Sequence, residues 1–566
     1  MADITMTLVP WPTGTPVSAY PRRSEQMLDN QPPTMIPAVA TQLVAADASL
    51  TYSDLDDGEY WAAAPLGETW RYIHFLAQTE EGAVPEPEPE PEYAYAVGRA
   101  IGFIESMLEP LDPPTGTSTI SAPDYPPGWS GAMSGTFALR DGTPTITGDE
   151  YDGYSVESHV ITDVDYLIES QPAKADGTFS FATAQPGEKR FVLRRDADGA
   201  SLADTRKPYL NVRSYVVNEG QPGWGTAFVQ QSYVYDQAVA LCAAVALGRG
   251  PLAQRLAQGL LLQQTSGGIH DGGFVFSSRQ EAPTYGDTAY RTGAHAIAVY
   301  ALLTYLAAYP NDRSRDFMGA ATRAVTFMQY QIDPTRQLVT GGWGVYTPDG
   351  SGGQDFDPDV KLTWMSLEHN FDAYHAFKLA DAVIGGYSGA ADSIGNAIQT
   401  LLWDPTNGRY LQGLKEDDEQ DTADPLDAHS WGAIFCASYG DDARARAIMA
   451  PAQLAPYAFT RATPEGVSAT GYSVNYDEPG YPGAVPTVWS EGTFGVAYAW
   501  ARLNETANWQ KVMDGIVPSQ AIDGSYYYVT DSDPSQDLYP YHSTVGAAWS
   551  ILAALGHGIW GFPGDR

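Results

Sequence analysis

The chain is poor in three things, and each shortage closes off a class of function. Only 2 of its 566 residues are cysteines, Cys242 and Cys436. Both sit in apolar stretches (Ala-Leu-Cys-Ala-Ala and Ile-Phe-Cys-Ala-Ser), so they read as buried free thiols and imply no disulfide framework. Basic residues are scarce: Lys+Arg number 31 against Asp+Glu 69, a net charge of -38. Binding a phosphate backbone needs cationic neutralisation, which excludes nucleic acid as a partner and anionic membrane surfaces with it. Charge of this sign suits neutral or cationic partners. Long apolar runs are missing too. None approaches the roughly 18–20 residues of a membrane helix, so neither a transmembrane segment nor membrane insertion is expected. The opening Met1-Ala2-Asp3-Ile4-Thr5-Met6-Thr7-Leu8 has no basic n-region, apolar core or cleavage site, so no signal peptide is expected. Cys/His zinc spacing and the Lys-Ser/Thr end of a phosphate loop are also lacking.

What is present divides into stretches of different period. A chain of 566 residues is too long for one core. Residues 1–81 alternate (Thr5 to Val9, Trp70 to Leu76) and read as a small β-rich module that anchors or adapts. Pro85 to Glu92 alternates Pro with Glu, which builds neither helix nor sheet, so 82–92 is expected to be an extended linker. A connecting helix is predicted within 93–112, stopped by Pro110, Pro113 and Pro114. From 113 to 218 the period is two: Gly135 to Arg140, Val156 to Ile161, Gly177 to Phe181 and Arg190 to Arg194 are strands between Gly, Pro and Asp turns. Short strands so spaced predict a β-sandwich that supports or binds.

From 219 to 566 the pattern is helical. Amphipathic segments are predicted near 230–248, 251–264, 291–308, 316–331, 362–383, 390–402, 427–438, 441–450, 490–502 and 541–555. Six of them open on a polar patch among small and aromatic residues. These are Tyr235-Asp236-Gln237, Tyr290 to His295, Leu367 to Tyr374, Leu426 to Trp431, Trp489 to Thr493 and Tyr541 to Gly546. They recur at roughly 50–75 residues, a loose repeat. Burying such groups is costly unless they share a site, so an inner ring of helices with polar starts around one cavity is expected. The segments between carry Arg, Gln and Asp, as an outer ring would. Gly-aromatic loops, such as Gly341 to Gly344 and Gly524 to Tyr528, are expected to rim the cleft.

These patches, above all Leu-Glu-His-Asn-Phe-Asp-Ala-Tyr, Asp-Ala-His-Ser-Trp-Gly and Trp-Ser-Glu-Gly-Thr, resemble those of the six-hairpin glycosidase superfamily. The resemblance implies a multidomain chain whose C-terminal domain is an all-α (α/α)6 toroid. Fewer than twelve helices are predicted after residue 219, a departure that leaves two readings: the segment near 93–108 completes the ring, or one hairpin is degenerate. Members hydrolyse, eliminate or epimerise sugars, or only bind them. The front of the chain more weakly resembles bacteriophage tail and fibre proteins. It implies an extracellular or virion-borne, homo-oligomeric protein attached to a larger particle through residues 1–81, with polysaccharide as the partner.

A glycosidase needs two carboxyl groups, one protonated and one ionised. Glu368 and Glu491 take the leading roles, with Asp236, Asp372 and Asp427 as alternates. Each also has a bland reading as a helix-start carboxylate serving backbone N–H groups and the helix dipole. Asp271 and Asp287 lie in adjacent loops. Trp364, Trp431, Trp489 and Tyr541 are candidates to stack on sugar rings, and His369, His542 and Arg291 to hold substrate. Arg291 has the geometry to pair a uronate or to form a structural ion pair. His295 and His429 read first as core histidines. Together with Asn370, Tyr374, Tyr541 and Arg291 the histidines keep a lyase or an epimerase open. No cofactor is expected; calcium at Asp349 to Asp359 is the weaker alternative, since the EF-hand pattern is not met. Glu416 to Asp421 reads as a solvated loop. A polysaccharide hydrolase is the favoured reading. A silent glycan-binding structural protein, or a lyase on the same fold, is the alternative.

Overall fold

The computed structural model describes residues 93–560, apart from 110–117, 124, 126–128, 142–143, 162–164, 183–187, 198–200, 206–208, 281–287 and 349–353. It also gives the backbone of six strands before residue 78. Four of these, Pro16–Pro21, Ala40–Leu43, Gly58–Leu66 and Thr69–Ala77, form one antiparallel sheet, and Ala2–Met6 pairs with Leu50–Leu55. The linker expected over 82–92 lies outside the described residues, as do Asp287 and the part of the calcium candidate from Asp349 to Gly353.

The alternating stretch after residue 118 forms two antiparallel sheets. One is built on Glu150–Ile161, flanked by Asp165–Lys174 and Glu188–Arg195. The other centres on Met133–Ala138, between Thr119–Ser121 and Thr178–Phe181. Period-two burial sends Phe179 and Phe181 from one sheet, and Val156, Phe191 and Leu193 from the other, into one shared core. Stacking of the rings of Phe181 and Phe191 closes it.

The remainder is a ring of helices. Its inner members are α2 (Val234–Ala246), α4 (Thr292–Ala308), α6 (Leu367–Val383), α8 (Asp427–Tyr439), α11 (Ser490–Arg502) and α13 (Thr544–Leu555). Each packs on the next, and α13 packs back on α2, so the circle closes. The outer members are α1 (Ala94–Ser106) against α13, α3 (Gly250–Leu262), α5 (Phe317–Gln329), α7 (Ser388–Leu401), α9 (Asp442–Ile448) and α12 (Thr506–Ile516). A single turn, α10 (Pro451–Leu454), follows α9. The segregation follows from composition. The inner helices are buried nearly all round and rich in Ala and Gly, which lets backbones approach closely. The outer helices bury one stripe, as Leu252, Leu256 and Leu260 do in α3.

The helix read at 93–112 is therefore an outer-ring member. Its Ala100, Ile101, Phe103 and Ile104 belong to the same core as the inner helices. One outer helix, α12, escapes the sequence pattern.

All six inner helices start at one end of the ring, and one backbone device fixes them there. The first N–H groups of a helix have no partner within it. Here the N–H of the opening residue of each inner helix, or in α8 of its N-cap Leu426, is taken by a carbonyl from another segment of the rim. The bonds run Val234 N–H to Phe276 O, Thr292 to Gly341, Leu367 to Gln412, Leu426 to Val474, Ser490 to Tyr528 and Thr544 to Ser214. The last returns to Ser214, just ahead of the strand Tyr215–Val216, and closes the circle. Short two- and three-residue strands run along the same rim.

Candidate active site

The rim bonds change the meaning of the carboxylates. Backbone carbonyls, not acidic side chains, satisfy the opening N–H groups, and Tyr233, Ser366, Leu426 and Trp489, at the N-cap positions of α2, α6, α8 and α11, give no side-chain cap. Asp236, Glu368, Asp427 and Glu491 stand in the first turns of those four helices, free of capping duty. The helix dipoles still favour negative charge there.

These groups converge. Burial raises the Glu368 carboxyl to about 7 and the Glu491 carboxyl to about 8, the latter with further repulsion from Asp236 and Glu368. Asp427 is pushed well above the usual range by burial, then by Glu368 and Glu491. Asp236 rises to about 7 through burial, against a hydrogen bond with Ser214. Glu368 and Asp427 are half-buried, whereas Glu491 and Asp236 are buried. The pit thus has two more open carboxyls and two enclosed ones. One helical turn past Glu368, Asp372 is 1% exposed, and neither of its oxygens has a hydrogen-bond partner. Burial, with Glu368, Asp427 and Glu491 beside it, holds its carboxyl well above the ordinary range.

Aromatic side chains form the wall. Tyr528 lies among Glu491, Asp236, Asp427 and Glu368, each of which, after burial, raises its phenol. Tyr235 donates to Glu491 Oε1 at 2.5 Å and accepts from Trp549 Nε1 at 3.2 Å. Trp489 stands edge-on to Tyr528, and its own ring lies so close over Gly492 that a Cβ there would fall 2.1 Å from it. Trp364 and His369 pack together at 5.3 Å on the other side, against Gly341 and Gly293. Burial, then the charge of Arg291, lowers the His369 imidazole to about 4, so it is neutral at neutral pH.

Several expected site residues lie elsewhere. Trp431 is 2% exposed and packs on Trp549 and Trp560, so it offers no open face to a sugar. Tyr541 is buried among Tyr215, Phe228 and Tyr539, with its hydroxyl on the Pro222 carbonyl. It supports the wall from behind. His542 turns away to Ser525 and Asp523 and stacks near Tyr527. Arg291 donates to the carbonyls of Trp343 and Gly344, so part of its guanidinium is committed to the rim. His295 bridges Phe274 N–H and the Ala324 carbonyl, and His429 bridges Asp424 and the Ile448 carbonyl, both as core histidines. Asn370 ties α6 to Val339, and Tyr374 faces Phe435 and Tyr439. Asp271 closes its own loop by accepting from Gly267 N–H. Among the described residues no group of three or more His, Cys, Asp or Glu side chains could hold a metal ion. The described part of the calcium candidate runs as strand Gln354–Leu362, with Asp359 on His270.

Tyr235, Tyr528, Tyr215 and Trp549 were missed as site residues. Tyr235 stands next to Asp236 in the first patch. Nothing local announces a partner 256 residues away.

No family description matches the chain, and no curated protein matches it in sequence. Solved structures do overlap it. A family 76 glycoside hydrolase from a bovine Bacteroides thetaiotaomicron strain covers 78% of this chain with 99% of its own, at 11% identity and TM-score 0.42. Cellobiose 2-epimerase from Bacillus thermoamylovorans B4167 covers 61% with 92% of its own, at 10% identity and TM-score 0.43. A D-mannose isomerase covers 60% with 91% of its own, at 11% identity and TM-score 0.42. These overlaps are loose, and the ring stands on its own helix contacts and rim bonds.

Proposed function

We propose that the helical ring is a glycoside hydrolase acting on a polysaccharide, with Glu491 as general acid and Glu368 as the base or nucleophile. The convergence of Glu368, Asp427 and Glu491 from three inner helices onto one end of the ring carries this reading. Cleaving a glycosidic bond requires one carboxyl to hold its proton while another is ionised. Enclosure favours the neutral form, and water favours the charged one. Glu491 is buried and pushed up to about 8, so it keeps its proton at neutral pH. Glu368 is half-buried, so water favours its charged form and it takes the ionised role. Asp427 is the reserve for the second role. Trp364 and Tyr528, both half-buried, supply flat apolar faces for sugar rings, and buried Trp489 backs Tyr528.

Glycan cleavage tests this. Glu491→Gln and Glu368→Gln are expected each to lose about 10²–10⁴-fold in release of reducing ends from a susceptible polysaccharide, the usual worth of a positioned acid or base. If neither variant loses activity, the roles are wrong. If no glycan in a broad panel is shortened but one is retained on the protein, the ring is a binding head. Attachment to a larger particle through residues 1–81, in an extracellular or virion setting, belongs to the same proposal.

A further inference from the structure

One hydrogen bond in the pit has a direction fixed by chemistry. The Trp549 indole N–H can only donate, and it lies 3.2 Å from the Tyr235 hydroxyl oxygen. It therefore occupies a lone pair of that oxygen. The proton of Tyr235 is left to go to Glu491 Oε1, 2.5 Å away. The three residues come from α13, α2 and α11, with α13 packed between the other two in the ring. Trp549 is fully buried, so its indole has no water to turn to. We infer that Tyr235, oriented by Trp549, is a positioning residue that reserves Oε1 of Glu491 as an acceptor and leaves Oε2 as the oxygen that carries and delivers the proton.

The inference rests on the reading of Glu491 as general acid. In the transfer, the Oε2–H bond breaks and a new O–H bond forms on the leaving glycosidic oxygen. That oxygen keeps the electron pair of the cleaved C–O bond, and a water deprotonated toward Glu368 supplies the other half of hydrolysis. Negative charge appears on Glu491 as this happens. The Tyr235 bond becomes charge-assisted and strengthens in the transition state, where it lowers the barrier. The charged and titratable groups facing Glu491 are Asp236 from α2, Glu368 and Asp372 from α6, Asp427 from α8, and Tyr528 and Tyr215 from the rim. Tyr235 is the group among them whose hydrogen bond favours the charged form of Glu491.

The test is Tyr235→Phe and Trp549→Phe in the full chain, with carbon-13 labelling of glutamate and the Glu491 signal assigned from Glu491→Gln. Tyr235→Phe is expected to lower kcat about 10–100-fold, the worth of a hydrogen bond to a charged group, with KM within about two-fold. It is also expected to move both the alkaline limb of the kcat profile and the Glu491 titration upward by about one pH unit. Trp549→Phe should move them the same way by less, because Tyr235 is then free to turn. A Tyr235→Phe variant with Glu491 titrating where it does in the parent chain overturns the inference. So does a loss of activity equal at every pH, which would mean a structural role only. Retention of activity in Glu491→Gln instead removes the acid reading itself. The carboxyl titration still decides whether Tyr235 donates to Glu491.

Discussion

At the scale of single residues, position rather than identity sets the surroundings of each carboxyl. Asp236, Glu368, Asp427 and Glu491 share a place in the first turn of an inner helix, where the dipole tempers their repulsion. Asp372 lies deeper and has neither that benefit nor a hydrogen-bond partner. Its carboxyl is held well above its ordinary value by burial, then by Glu368, Asp427 and Glu491. An unfolded Asp releases its proton near pH 4, as model peptides do, but the folded chain keeps it. The contribution to stability is therefore whole below about pH 4 and is lost as pH rises toward the folded value. Asp372→Asn fills the same space and has no proton to lose. We expect its Tm to fall less than that of the parent chain between pH 5 and pH 8. Equal falls would show that burial does not hold the Asp372 carboxyl above its ordinary value.

At the scale of elements, what matters is how each inner helix is held at its start. The entry to α8 depends on Asp424. Its carboxylate meets Arg409 at 2.6 Å and His429 at 3.0 Å and accepts from Tyr476 at 3.2 Å, while its backbone carbonyl accepts from Tyr457 at 2.7 Å. His429 is fully buried. Asp424→Ala takes the carboxylate from half-buried Arg409 and buried His429 and should cost about 3–5 kcal/mol, read as a fall in the denaturation midpoint. A change under 1 kcal/mol would mean that water replaces the carboxylate. This element also shows where the sequence stopped being informative. The patch Asp427-Ala428-His429 marked a polar helix start, and helical period marked α2, α4, α6, α8, α11 and α13. Asp424 was invisible because its partners come from four separate segments. The pairing of Tyr235 with Glu491 was hidden by the same long range. The outer helix α12 was passed over because Thr506 to Ile516 buries only Val512, Met513 and Ile516, too thin a stripe to stand out. Trp431 was misplaced as a sugar platform because a tryptophan reads alike in sequence whether its face meets a sugar or Trp560. The rim strands are two or three residues long, below any alternation that a sequence can show.

At the scale of the whole molecule, the ring is closed by chain from two distant places. The outer partner of α13 is α1, more than 400 residues earlier, and several bonds secure it. Tyr93 donates to Asp514 at 2.7 Å, Gln520 to the Ala96 carbonyl at 2.9 Å and Gln280 to the Met107 carbonyl at 2.6 Å. Phe103, Ile104, Met107 and Leu108 are almost wholly buried against the ring. A closed circle tolerates the loss of one outer member poorly, because the inner helix behind it then shows an apolar back to water. Deleting large buried side chains costs about 2–5 kcal/mol each, and removing α1 deletes several together, more than the 5–15 kcal/mol of a typical domain can absorb. We therefore expect a chain beginning at Tyr93 to melt within a few degrees of the full chain and to keep the activity of the pit. A chain beginning at residue 118 is expected to lose its cooperative thermal transition. Calorimetry on the two truncations decides it. If the shorter one melts like the longer one, the ring closes without α1, and α13 is covered by something other than the helix that packs on it.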